Sequence, residues 1–193
     1  FSDTAMVVIS RVGGEMADLP TNMDGLNYTE NSTEYNDFEP GQHYLSLTKT
    51  EKNMIDMVTK NFANVVLVYN GANTLEMGFV NDYPQIKSVI WFPGTGQTGF
   101  NALGEIVAGE VNPSGHSADT FVYDLTAAPY FNNIGDFAYT NADSVGYTVA
   151  SQAGGDAKLV PPHFVNYVEG IYVGYKFYET AAAEGLIDYD KTV

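Results

Sequence analysis

The sequence predicts an α/β fold built on a mainly parallel sheet, and three observations predict it. Uncharged runs rich in β-branched residues recur: "AMVVIS" (5–10), "NVVLVYN" (64–70) and "SVIWF" (88–92). These runs are continuous rather than alternating, the pattern of parallel strands covered on both faces. Amphipathic segments separate them, and a strand–helix–strand rhythm selects a layered α/β architecture.

The elements follow in order. The first strand, 5–10, leads into residues 12–47, which contain no Lys or Arg, several Asp and Glu, and turn formers throughout. This reads as a long acidic loop. Loops longer than ~12–15 residues in compact domains are usually functional or disordered. Loops past the carboxyl ends of parallel strands are where α/β proteins place their sites. Two N-x-[ST] sequons, at Asn27 and Asn31, carry little weight. In "LTKTEKNMIDMVTKNF" (47–62), Thr48 and Glu51 have the capping-box spacing. Leu47 precedes the cap, and Met54, Ile55 and Val58 recur at helical spacing. The second strand, 64–70, is followed by "TLEMGFVND" (74–82), read as a shorter helix. The third, 88–92, is followed by "GFNALGEIVAG" (99–109), another helix with Gly109 as its stop. From "NPSGHSADTF" (112–121) onward the chain is rich in Gly, Asn, Tyr and Pro. Long connections with few regular elements are expected there, and no internal repeat is apparent.

Composition narrows the function classes. The 193 residues suffice for one domain with a core, and 45% hydrophobic against 17% charged residues is a globular balance. Without cysteine there is no disulfide framework, thiolate metal site or cysteine nucleophile. A formal net charge of −16 repels phosphate backbones and anionic membranes and suits neutral ligands. No apolar run approaches the ~18 residues of a transmembrane helix. The chain starts at Phe1 with no leader in view. It reads as a piece of something larger, and its location leans cytoplasmic.

Gly94, Gly96 and Gly99 spell G-x-G-x-x-G in "WFPGTGQTGF". A dinucleotide fingerprint requires this turn after the first strand, with an acidic residue ending the next strand about 20 residues on. Here the glycines follow the third strand behind Pro93. Glu110 and Asp119 fall in loop sequence rather than at a strand end. The expectation is a tight turn, and no nucleotide cofactor.

Several segments together carry a family resemblance. They are "VVISRVGGE" (7–15), "YLSLTKTEKNMI" (44–55), "VVLVYNGANTLEM" (65–77), "WFPGTGQTGFNALGEIVAGEVNPSG" (91–115) and "EGIYVGYKFYE" (169–179). In this order the chain resembles glycoside hydrolase family 3 of the β-glucosidase type, over almost its whole length. The resemblance implies a three-layer α/β sandwich with a mostly parallel six-stranded sheet flanked by helices, as a single domain over 1–193. It also implies that the glycine-rich stretch is a structural turn.

The same resemblance implies the chemistry. The family's retaining members use two carboxyl groups. The aspartate nucleophile lies on a (β/α)₈ barrel, for which this chain has no room. The general acid/base is often a glutamate in a Gly-Glu turn after this domain's first strand, and Glu15, in Gly13-Gly14-Glu15, matches it. The family continues Gly-Tyr-Asp-Arg. Here the sequence is Met16-Ala17-Asp18-Leu19, with Asp18 alone in register as a candidate substrate-binding or loop-supporting residue. Glu30, Glu34 and Glu39 compete with Glu15. The alternative is a scaffold domain that shapes the pocket while the acid/base comes from elsewhere. The implied partners are a β-linked glucoside or short oligosaccharide and the barrel of the same polypeptide, with a homodimer as one open assembly.

No cofactor or metal is expected. His43, His116 and His163 are scattered without ligand spacing and read as structural. Ser114 lacks the G-x-S-x-G elbow. Trp91 ends a strand-like run and reads as core rather than a sugar platform. The tyrosines of 167–178 either pack the domain or face the barrel.

Overall fold

The computed structural model describes residues 2–13, 20–24, 37–133, 137–149, 158–160 and 162–193. Strands β1 (Thr4–Ser10), β2 (Asn64–Asn70) and β3 (Ile86–Trp91) form a parallel sheet in the order β1-β2-β3. Val7 pairs with Leu67, Ile9 with Tyr69, and Tyr69 with Trp91. Register partners in a sheet share a face. That face, joined by Ile55 of helix α1 (Lys49–Asn61) and by Leu45, Leu75, Val122, Leu125 and Tyr178, is the main core. The central strand is buried on both faces, with Val68 opposite Leu67 and Tyr69. Edge strand β1 is not: Met6 is 45% and Val8 46% exposed, so its apolar run is covered on one side only.

Helix α1 starts where the sequence predicts. Thr48 Oγ1 accepts from the Glu51 N–H at 3.2 Å, and Glu51 Oε2 accepts from the Thr48 N–H at 2.9 Å. Both satisfy donors that the first helical turn leaves orphaned. Thr48→Ala is expected to lower stability by about 1 kcal/mol. Urea unfolding with an unchanged slope checks this, and a loss near zero would mean that the cap is redundant.

The helix expected over 74–82 is instead an irregular stretch ending in a single 3₁₀ turn, Gly78–Asp82. Its backbone donors are drawn to neighbouring segments: Glu76 N–H to Leu45 O at 3.0 Å and Met77 N–H to Val122 O at 3.1 Å. Helix α2 (Phe100–Val107) forms as predicted, and Gly109 at φ 76° ends it.

The six-stranded sheet is not found. Among the described residues the parallel sheet has three strands. The remaining strands are two- or three-residue antiparallel pairs: β4 (Phe137–Ala138) with β7 (His163–Phe164), and β5 (Tyr147–Val149) with β6 (Lys158–Val160). The chain after residue 112 holds no β-branched run as long as those of β1 to β3, and Gly, Asn and Pro interrupt it repeatedly. Besides the one-turn α3 (Ala142–Val145), helix α4 (Tyr175–Ala183) stands in this region, unannounced by its aromatic start; Tyr178 and Ala181 bury against the core.

In the acidic segment, the described residues 20–24 and 37–47 pack and hydrogen-bond as a solvated loop does not. Met23, Phe38 and Tyr44 form a second apolar cluster. Met23 N–H donates to Gln42 O at 2.8 Å, and Tyr44 N–H to Pro20 O at 3.1 Å. No helix among the described residues is long and apolar enough to cross a membrane.

One core group is polar and unmatched. Tyr69 is 0% exposed, and its hydroxyl has no hydrogen-bond partner among the described residues. Burial pushes this phenol up to about 12. A buried unsatisfied hydroxyl is destabilising by ~1–3 kcal/mol, so Tyr69→Phe is expected to be neutral or stabilising in thermal unfolding. Gly71→Ala should destabilise, because a Cβ there would lie 2.4 Å from that oxygen and 2.6 Å from Cζ. Since the ring carbon remains in Tyr69→Phe, that change rescues Gly71→Ala only in part; full rescue would overturn the steric account.

Candidate functional site

The carboxyl ends of β1 and β2 gather most of the buried polar groups. Arg11, the chain's single arginine, follows directly on β1. It is buried, and all five of its N–H groups are engaged. Nη1 and Nη2 grip Glu51 Oε1 and Oε2 at 2.5 and 2.6 Å, Nε donates to Tyr44 O at 2.7 Å, Nη2 to Ser46 O at 2.7 Å, and Nη1 to Ser10 O at 2.8 Å. The guanidinium also sits 5.4 Å from the centre of the Tyr44 ring. Arg11 thus ties the start of the acidic segment, its return at Tyr44–Ser46, and the N-terminus of α1. The sequence reading missed it. The signal was there: Arg11 is the one cation before Lys49 in an otherwise acidic stretch.

His43 is structural, as predicted, and its geometry says how. Nδ1 lies 3.1 Å from the Leu45 N–H, which can only donate, so Nδ1 accepts. The imidazole proton is then on Nε2, donated to Glu76 Oε1 at 2.8 Å. Glu76 Oε1 also accepts from the Leu125 N–H at 2.7 Å. Both ring nitrogens are in use, so this pair joins three segments and leaves no free base.

Above it lies a cleft of about 460 Å³. It is walled by residues 72–74 past the end of β2, by Pro20 and Thr21 where the acidic segment returns, by Asp119 and Thr120, by Tyr130 and Phe131, and by Val173 and Gly174. Burial raises the Tyr130 phenol, against a hydrogen bond with Thr74 that lowers it; Asp119 adds to the rise. Phe131 meets the His43 ring edge-on at 5.6 Å.

The sequence candidates distribute as follows. Glu15 and Asp18 lie outside the described residues, as do Glu30 and Glu34. Glu39 is exposed and pairs with Lys49 at 3.5 Å. His116 and Ser114 are exposed, and His116 lines a different hollow from His43, with Trp91 and Phe121. Trp91 is core: it packs edge-on to Phe121 at 5.3 Å, and its indole N–H donates to Gly71 O at 2.7 Å. The glycine triplet is a tight turn: Gly96 has φ 63°, and a Cβ on Gly99 would meet Thr95 O at 2.4 Å. Among the described residues no group of three or more His, Asp or Glu could hold a metal ion.

The tyrosines of 167–178 divide. Tyr178 is buried in the core, whereas Tyr167, Ile171 and Tyr175 are 75%, 73% and 64% exposed, with Val168, Tyr172 and Val173 also outward. They form an apolar ridge that reaches the cleft at Val173 and Gly174.

Comparison with known proteins identifies the family of this fold. The model of the glycosyl hydrolase family 3 C-terminal domain matches residues 2–175. Beta-glucosidase A of Butyrivibrio fibrisolvens is 29% identical over 187 residues, covering 93% of this chain and 19% of its own length. A beta-glucosidase of Ruminococcus albus is 28% identical over 184 residues, covering 95% and 15%. The chain thus spans about a fifth or less of the length of these curated relatives. Among solved structures, a beta-glucosidase from Paenibacillus barengoltzii superposes with a TM-score of 0.54 at 28% identity, over 71% of this chain and 13% of its own. The beta-D-glucoside glucohydrolase of Trichoderma reesei shares the fold, with a TM-score of 0.54 at 20% identity over 93% of this chain and 19% of its own. With a family match through 2–175 and an α/β core of parallel strands beneath it, the chain belongs to glycosyl hydrolase family 3, in its C-terminal domain.

Proposed function

We propose that this domain forms one wall of the active site of a retaining β-glycosidase acting on β-glucosides, with Glu15 as the general acid/base. The nucleophilic aspartate would sit on a (β/α)₈ barrel in the rest of a longer polypeptide, so residues 1–193 are one domain of that enzyme. The observation that carries this reading is the family match, whose relatives are named beta-glucosidases and are about five times longer than this chain. The uncovered ridge beside the cleft supports a second domain packing there, since contiguous exposed apolar patches mark interaction surfaces.

In such an enzyme the aspartate attacks the anomeric carbon while Glu15 protonates the departing oxygen. Glu15 then takes a proton from the water that releases the sugar. The buried Arg11–Glu51 junction lies just before Glu15 in sequence and supplies a rigid point of departure for its loop. Asp18 would support that loop or bind the substrate. The isolated chain, lacking the nucleophile, should hydrolyse no aryl β-glucoside.

A second reading, a non-catalytic scaffold domain, is favoured by one observation: Met16, Ala17 and Leu19 depart from the family's run after the glutamate. Glu15→Ala in the barrel-containing enzyme separates the two. A large loss on glucosides with poor leaving groups, with azide restoring turnover of a nitrophenyl glucoside, supports the first reading, and small equal losses overturn it.

A further inference from the structure

The cleft past the end of β2 is electrically one-sided. Among the described residues no Lys or Arg lines it, while Asp119 stands exposed in its wall. A second carboxylate lies behind its His43 and Leu125 lining. Glu76 Oε1 accepts from His43 Nε2 at 2.8 Å and from the Leu125 N–H at 2.7 Å. Both donors are neutral, because the imidazole carries a single proton in this arrangement. The Glu76 charge therefore has no Lys or Arg paired with it among the described residues. The Arg11 guanidinium, which bonds the Tyr44 carbonyl next to His43, is matched by Glu51.

The rest of the lining is apolar and aromatic. Tyr130, Phe131 and Tyr178 contribute three rings, and Leu45, Leu125 and Val173 add aliphatic surface. Burial chiefly raises the Tyr130 phenol, and the Asp119 charge adds to the rise, so ring and carboxylate act on one space. The face of an aromatic ring attracts a cation within about 6 Å of its centre. These features select among ligands. A phosphate or carboxylate would meet no countercharge in a chain of net charge −16. A divalent metal ion takes about six or more oxygen ligands, and one carboxylate in the wall is too few. A primary ammonium is strongly hydrated and would give up that water to an apolar wall. A large, weakly hydrated monocation suits both the charge and the rings. The volume of about 460 Å³ falls within the range of small-molecule sites.

We propose that this cleft binds a quaternary ammonium ion, with its N-methyl groups toward Tyr130 and Phe131 and its charge facing Asp119. Thr21, Asn73 and Thr120 offer neutral hydroxyl and amide groups to a hydroxyl arm on such a cation. His43 takes no direct part, since both its nitrogens are already bonded. Neither Glu15 nor a glycosidic bond enters this binding, so it stands apart from the glycosidase reading above.

The test is a titration of the 193-residue chain with choline, followed by amide chemical shifts. Its neutral isostere 3,3-dimethylbutan-1-ol and the zwitterion glycine betaine serve as comparisons. Sodium chloride holds the ionic strength constant, so general screening is the same throughout. Saturable shifts centred on residues 72–74, 119–120 and 130–131 are expected, with a dissociation constant on the order of 1 mM. The isostere lacks the charge and betaine adds a carboxylate, so each should bind at least ~10-fold more weakly. Asp119 is exposed, so Asp119→Asn should keep the folded spectrum and weaken choline ~10-fold. Tyr130→Leu keeps an apolar side chain but removes the ring, and should weaken choline more than the isostere. Absence of saturable shifts overturns the proposal, as does equal binding of the isostere. Shifts spread over carboxylates far from the cleft overturn it too, since they report only the attraction of a cation to an acidic chain. So does an affinity that Asp119→Asn and Tyr130→Leu both leave unchanged. Failure here leaves the Glu15 assignment intact, because that is read from leaving groups and azide; failure of Glu15 leaves this titration intact.

Discussion

Replacing Arg11 with methionine is expected to destabilise the domain by about 3–5 kcal/mol, the range seen when one partner of a buried ion pair is removed. The change strips more than one bond. The Tyr44 and Ser46 carbonyls lose their donors, and the Glu51 carboxylate, 18% exposed, loses both contacts that neutralise it. A buried acceptor left without a donor is destabilising by more than a made hydrogen bond contributes, so the asymmetry favours a large loss. Glu51→Gln should be milder, because the amide oxygen still accepts from the Thr48 N–H and the guanidinium, though it loses its counter-charge, keeps its three backbone acceptors. The double change is expected to lose less than the two losses added, as for any pair in direct contact. Urea unfolding of the four proteins measures this cycle. A loss below about 1 kcal/mol for Arg11→Met would reduce the junction to the level of a surface ion pair.

In the barrel-containing enzyme, Glu15→Ala is expected to lower turnover of a methyl β-glucoside by about 10²–10⁴-fold. A nitrophenyl β-glucoside should suffer much less in the glycosylation step, because its leaving group departs without a proton. Deglycosylation then becomes slow, since no base activates water, and the glycosyl-enzyme accumulates. Azide needs no base, so it should restore turnover on the nitrophenyl substrate and yield the β-glycosyl azide. Equal small losses on both substrates, with no azide product, would mean that the proton comes from another group and the domain is scaffold.

How much of this was legible in the sequence follows from how local each feature is. Helix α1 was readable because Thr48 and Glu51 satisfy each other within one turn, and α2 because Gly109 stops it. The strands were readable because their apolar runs are short and bounded. The 74–82 segment was misread as helix because its donors bond to residues about thirty to forty-five positions away, at Leu45 and Val122, which no local pattern reports. The sheet was overestimated because six strands were inferred from the family, while the sequence after residue 112 offers no further run of that kind. Arg11 escaped because a single cation carries no motif; its meaning appears only when Tyr44, Ser46 and Glu51 converge on it. The cleft escaped for the same reason, being assembled from five separate stretches of chain.

The one-sided cover of β1 has a consequence for the protein in bulk. Among the described residues β1 and β3 are the two rims of the sheet, and each offers a row of unpaired amide and carbonyl groups. β3 carries Lys87, a charge of the kind that guards such rims. β1 carries none from Thr4 to Ser10, and it turns Met6 and Val8 outward. Mutual repulsion between molecules of net charge −16 opposes the joining of two copies along β1. That repulsion is screened to ~3 Å in 1 M salt. Concentrated solutions of this domain therefore keep best at low ionic strength, and salt that steadies many proteins would hasten strand-to-strand aggregation in this one.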